Sequence, residues 1–128
     1  MKVLGIGVDI VKNKRFKFLI NNKKFIQRTF GTNEIKFSKI NDYKANYFSK
    51  RFATKESLAK AIGTGFRNNL NFKDIEILND KMGKPYYLKS KKIDKIIKRK
   101  FTVKKYNLFL SISDEKDYSV AFTILQKI

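Results

Sequence analysis

The sequence predicts an α+β fold: a leading strand, a group of helices that includes one long central helix, and a mainly antiparallel sheet that closes the chain. Three observations carry this reading. Residues 2–11 (KVLGIGVDIV) are largely apolar and β-branched. Residues 42–62 keep a helical periodicity that neither Gly nor Pro interrupts. Residues 107–113 and 117–125 alternate apolar with polar side chains, as half-buried strands do.

In chain order, residues 2–11 read as a buried strand. Residues 12–22 and 23–30 read as short basic helices. Gly31-Thr32-Asn33-Glu34 breaks the pattern, and Thr32 or Asn33 is placed to cap a helix running to about Ile40. In the helix over 42–62, Phe48, Phe52, Ala59 and Ile62 recur at three-to-four spacing and should face a core. Gly63 should end it in a left-handed cap. Residues 74–79 read as a strand, Asp80-Lys81-Met82-Gly83 as a turn and residues 84–88 as the partner strand. The Lys-rich segment 91–105, with Ile93, Ile96 and Ile97, reads as a basic amphipathic helix or a mobile insert. Asp114-Glu115-Lys116 joins the last two strands as a hairpin.

A length of 128 residues, 42% of them hydrophobic, predicts one domain over 1–128 with a modest core. So small a core gains from oligomerisation. No apolar run approaches the roughly 20 residues that span a bilayer. The N-terminal stretch, broken by Gly5, Gly7 and Asp9, is a poor signal peptide. No membrane partner is expected, and the reading places the chain in the cytoplasm. With no Cys and no His, disulfides, thiolate metal sites and imidazole chemistry are excluded. Any metal must sit on oxygen ligands, which favours Mg²⁺ or Ca²⁺ over Zn²⁺. A formal net charge of +19 suits an anionic partner: nucleic acid, a phosphorylated ligand, an anionic surface or an acidic protein.

Three places carry potential chemistry. Asp9 lies inside an apolar strand, where a carboxylate needs a cation or hydrogen bonds. It either caps the following helix or binds a metal. Lys55 and Glu56 lie in the long helix with Lys60 four residues beyond Glu56, a spacing that also serves as ordinary surface pairing. Their apolar and small neighbours suggest a partly covered face. Gly63-Thr64-Gly65 and Gly83-Lys84-Pro85 let the backbone approach a phosphate or ring, and capping and hairpin turning account for them equally.

GIGVDI at 5–10, RFATKESLAKAIGTG at 51–65, LNDKMGKPY at 78–86 and SISD at 111–114 occur in this order. In order and spacing the chain resembles the bacterial-type holo-acyl-carrier-protein synthases of the phosphopantetheinyl transferase superfamily. The resemblance implies that fold, and a reaction in which a carrier serine attacks the β-phosphate of coenzyme A and releases adenosine 3′,5′-bisphosphate, in support of fatty acid biosynthesis. It implies that Asp9 and Glu56 hold Mg²⁺ and that Lys60 neutralises phosphate charge. Asp9, Glu56 and Lys60 are thus the implied catalytic set. Lys55 shares the motif, and Arg51 is implied to hold the nucleotide end. Gly63, Gly83, Lys84 and Pro85 fall at implied cofactor contacts, and Ser111 and Ser113 match the SxSH strand. Asp114 stands where the family usually carries His, and a carboxylate there would repel the 3′-phosphate. Deprotonation of the serine falls to Glu56 or to a water on the metal.

The resemblance also implies an acidic acyl carrier protein as partner, docked on the basic segment after Asp9, with Lys14, Arg15, Lys17 and Phe18 as its candidate contacts and Phe16 or Phe18 packing in the core. It implies a homotrimer with active sites at subunit interfaces. A nucleic-acid-binding module would explain the charge, but neither Asp9 nor the KE-x-x-x-K helix. A catalytically weakened family member would explain Asp114.

Overall fold

The computed structural model describes residues 2–67 and 69–128. Strand β1 (Lys2–Lys12) pairs antiparallel with β5 (Tyr118–Lys127), which pairs antiparallel with β4 (Tyr106–Asp114), so β5 is central. A separate hairpin joins β2 (Ile77–Asn79) to β3 (Pro85–Tyr87). Helices α1 (Arg15–Leu19), α2 (Lys23–Thr29), α3 (Thr32–Ser38) and α4 (Lys44–Ile62) lie between β1 and β2, and α5 (Lys91–Phe101) between β3 and β4. The expected α+β order holds. Among the described residues no helix is long and apolar enough to cross a membrane.

Helix α4 organises the molecule because it is buried most of the way round. Leu58, Ala61 and Ile62 pack with Ile75, Ile77, Ile93, Ile97 and Leu125. Tyr47, Phe48 and Ala53 join Val11, Phe16, Phe30 and Ala121 in a second cluster nearer the helix start. Gly63 caps it in the left-handed conformation (φ 88°), its N–H donating to the Ala59 carbonyl at 2.9 Å, as expected.

Several expected boundaries move for local reasons. Strand β1 continues through Lys12, which pairs with Tyr118, so the helix expected over 12–22 shrinks to α1. Buried Asn13 ends the strand: its Oδ1 accepts from Ser49 (2.8 Å) and Ser119 (2.7 Å), and its Nδ2 donates to the carbonyls of Glu115 (2.9 Å) and Lys116 (3.2 Å). Neither Thr32 nor Asn33 caps α3. Gly31 does, its N–H donating to the Glu34 side chain at 3.0 Å. The strand expected over 74–79 begins only at Ile77, because Asp74 closes a single 3₁₀ turn (Phe72–Asp74) by accepting from Asn71 N–H at 2.8 Å. The segment 91–105 is helical over α5, capped by the Ser90 side chain and ended by Thr102 in the left-handed region.

Strand β1 is not buried on both faces. Its inner face, with Gly7 and Val11, lies against α4, whereas Ile6, Val8 and Ile10 on the outer face are each more than half exposed. Register extends that apolar face across the sheet, through Ile124 and Phe109 beside Ile6 and Phe122 beside Val8.

Candidate active site

The glycines of GIGVDI set the geometry. At Gly7 a Cβ would overlap the carbonyl oxygen of Ser57, and at Gly5 that of Ala61. Only glycine lets the α4 backbone rest directly on the β1 backbone. That contact brings two turns of α4 beside Asp9. The Lys60 ammonium pairs with Asp9 Oδ1 at 3.1 Å and donates to the Val8 carbonyl at 2.9 Å. Asp9 therefore does not cap α1, whose N-cap is Lys14. Gly7→Val should force the helix off the strand, costing at least about 1–3 kcal/mol, the usual penalty of overpacking. An unchanged urea midpoint would refute the close approach.

Glu56 lies one turn before Lys60 on the same side of α4. Burial raises its carboxyl pKa, and the charge of Asp9 raises it further, opposed by Lys60 and Arg15. The four charges thus form one electrostatic cluster at the free edge of β1. Among the described residues no group of three or more acidic, His or Cys side chains could hold a metal. Asp9 and Glu56, close enough for the charge of one to raise the pKa of the other, offer two carboxylates as oxygen donors. This donor set fits Mg²⁺, which keeps several waters and takes its remaining ligands from phosphates.

The other motif residues lie elsewhere. Lys55, adjacent in sequence to Glu56, points into the interior and is fully buried. Its ammonium pairs with Glu34 at 2.6 Å and donates to the carbonyls of Phe72 (3.0 Å) and Ile75, and it lies over the Phe30 ring. The expectation that Lys55 touches cofactor is corrected: within this fold its charge is consumed by Glu34. Arg51 is also buried, stacked on Tyr47 at 3.6 Å and donating to Asn79 Oδ1 at 2.6 Å. Its Nε, among the described residues, is buried without a partner. Asn79 in turn donates to the Gly83 carbonyl at 3.0 Å, so Arg51 holds the Gly83-Lys84-Pro85 turn at one remove.

Ser111 and Ser113 flank Ile112, which aligns with Ala121 and, beyond it, Asp9. They are two strands, about 10 Å, from Asp9 and point to the opposite face of the sheet. Asp114 is exposed at the end of β4, opposite Ser119. At the α1 N-cap and along α1, Lys14, Arg15, Lys17 and Phe18 are exposed, whereas Phe16 is fully buried. The residues that escaped the sequence reading are Gly5, Gly7, Glu34 and Asn13. A Gly-x-Gly inside a strand is the signal for the first two. Glu34 and Asn13 gave none.

Residues 5–123 match the 4′-phosphopantetheinyl transferase superfamily. The chain belongs to this superfamily. It is 57% identical to the holo-[acyl-carrier-protein] synthase of Pelagibacter ubique over 99% of both chains. It is 41% identical to that of Clostridium botulinum over 98% of this chain and 99% of the other. Among solved structures, the Neisseria meningitidis holo-[acyl-carrier-protein] synthase superimposes with a TM-score of 0.86 at 34% identity, over 98% of this chain and 100% of that one. The Bacillus anthracis synthase in complex with CoA (3′,5′-ADP) superimposes with a TM-score of 0.80 at 31% identity, over 98% of each chain.

Proposed function

We propose that residues 1–128 act as one holo-[acyl-carrier-protein] synthase domain. The enzyme transfers the 4′-phosphopantetheine group from coenzyme A to a serine of apo-acyl carrier protein and releases adenosine 3′,5′-bisphosphate; the holo-carrier serves fatty acid biosynthesis. The observation that carries this reading is the convergence of Asp9, Glu56 and Lys60 at the β1 edge, in a chain 57% identical to a synthase of that name.

The serine oxygen forms a bond to the β-phosphorus as the bond to the nucleotide oxygen breaks, and negative charge grows on the phosphates. Asp9 and Glu56 would hold Mg²⁺, which when bound neutralises diphosphate charge. The half-exposed Lys60 ammonium adds a positive charge where the leaving bisphosphate departs. In a chain without imidazole, the serine proton passes to the Glu56 carboxylate or to a water on the metal. The test is direct: with coenzyme A and Mg²⁺, the protein should raise the mass of an apo-carrier by one phosphopantetheine group. An unchanged mass over hours would refute the activity.

Acidic carrier docks on α1. Arg15 is exposed there and its charge reaches Glu56, so a carrier held by Lys14, Arg15, Lys17 and Phe18 delivers its serine beside the carboxylates. Arg15→Glu should raise KM for carrier roughly tenfold and leave KM for coenzyme A nearly unchanged, with an effect that shrinks in high salt. Equal carrier KM values for the two proteins would move docking elsewhere.

The active form is a trimer. Asp9, Glu56 and Lys60 sit at one edge of the sheet, while Ser111 and Ser113 lie two strands away on its other face. The exposed apolar face of Ile6, Val8, Ile10, Phe109 and Phe122 is where copies pack. Packing of three copies brings one chain's carboxylates to the 83–85 turn and serines of the next. Light scattering should give three chains, and Val8→Glu should give monomers with little activity. A fully active monomer would overturn the shared site.

A further inference from the structure

A cavity of about 770 Å³ lies on the side of α4 away from the catalytic cluster, between α5, β3 and the start of β4. Leu58 lines it, about 200° around the helix from Glu56. Its floor is aliphatic: Leu58, Ile75, Leu88, Ile93 and Leu108. Its rim is cationic, with Lys89, Lys91, Lys98, Lys104 and Lys105. The acidic side chains that also line it are already engaged. Asp94 pairs with Lys98 at 3.0 Å, Asp74 with Lys92 at 2.7 Å, and Glu76 accepts from the Asn33 N–H at 3.1 Å. Among the described residues, no ion pair holds Lys89, Lys91, Lys104 or Lys105. The start of α5 at Ser90 and Lys91 opens onto the same space and adds the positive end of an 11-residue helix.

We propose that this cavity binds a single-chain amphiphilic anion, with its alkyl chain on the aliphatic floor and its head group against Lys89, Lys104 and Lys105. The size suits a small-molecule site, which typically spans about 300–1,000 Å³ and combines an apolar lining with a few polar anchors. A bare phosphate would use only the rim and leave the half-buried Leu88 and Leu108 open to solvent. A neutral lipid would leave the lysines uncompensated. An alkyl phosphate or a fatty carboxylate satisfies both. Leu88 is a selective probe, since it lines the cavity without belonging to the core clusters.

Isothermal titration calorimetry of the full chain, below the micelle concentration, tests this with dodecyl phosphate, dodecanoate, dodecanol and inorganic phosphate. The first two should bind saturably and the last two at least tenfold more weakly. The tighter of the two anions tells whether a phosphate monoester or a fatty carboxylate is the better fit. Each methylene added from octyl to dodecyl should tighten binding by up to about fourfold. Lys104→Glu/Lys105→Glu and Leu88→Trp should each weaken it at least tenfold, with saturating coenzyme A leaving it unchanged. Displacement by coenzyme A would make the cavity part of the cofactor site and overturn the proposal. So would inorganic phosphate binding as tightly as its dodecyl ester, or full binding by both variants.

Discussion

Glu34→Ala should destabilise the fold by about 3–5 kcal/mol in urea denaturation, because it leaves a buried ammonium without its counter-charge. Glu34 and Lys55 are both fully buried, and their 2.6 Å ion pair joins α3 to α4. The same carboxylate accepts from Ile77 N–H and Gly31 N–H, each at 3.0 Å, so truncation also orphans a buried donor at the start of β2. Burial alone pushes the Lys55 pKa down, and Glu34 is the main opposing influence. Lys55→Met leaves a carboxylate that still has two backbone donors, so it should cost less. The double variant Glu34→Ala/Lys55→Met should be more stable than the sum of the single effects by at least about 1 kcal/mol, the coupling expected of contacting residues. A loss under about 1 kcal/mol in Glu34→Ala, or strict additivity, would show that the pair does not hold α3 and β2 to the central helix.

The same pair shows where the sequence stops being legible. The periodicity of 42–62, the Gly63 cap and the alternation of β4 and β5 are local patterns, and they fix those elements to within a few residues. A carboxylate in an apolar strand and a KE-x-x-x-K helix are each visible locally, but capping and surface pairing account for them too, and only the family resemblance joins Asp9, Glu56 and Lys60 as one set. Lys55 could not be separated from Glu56 in this way. Neighbours on a helix point about 100° apart, and whether Lys55 turns inward depends on Glu34, which lies 21 positions upstream with no local mark of the pairing. Strand β1 posed the converse difficulty. Apolar residues on both faces read as burial on both faces, yet only the Gly7 and Val11 face is covered by α4. In the sequence, Gly5 and Gly7 only interrupt an apolar run. Their role becomes clear only when the helix backbone is seen resting on them.

Asp9→Ala and Glu56→Ala should each lower transfer by about a thousandfold at saturating coenzyme A and limiting Mg²⁺. This corresponds to losing the several kcal/mol that metal-assisted charge stabilisation supplies. Lys60→Met should cost less, since it removes one cation and leaves both carboxylates. Stability should move the other way. Burial and the Asp9 charge raise the Glu56 pKa in the folded protein above its ordinary value of 4.5. Between that value and the raised one, the metal-free native state binds more protons than the unfolded chain, so wild-type stability falls as pH rises through this window. Glu56→Gln cannot ionise and escapes that loss. The metal-free variant should match or exceed wild-type stability at neutral pH, and its advantage should fade as the pH drops below 4.5. Removing Asp9's charge with Asp9→Asn should narrow the window from the other side. Paired urea titrations across pH, beside carrier mass spectrometry at neutral pH, read both effects. If metal-free Glu56→Gln is less stable than wild type at neutral pH, a charged Glu56 does not strain the fold. If the variant is stable and transfers phosphopantetheine at the wild-type rate, Glu56 neither holds the metal nor takes the proton, and the carboxylate pair at the β1 edge is not the catalytic centre.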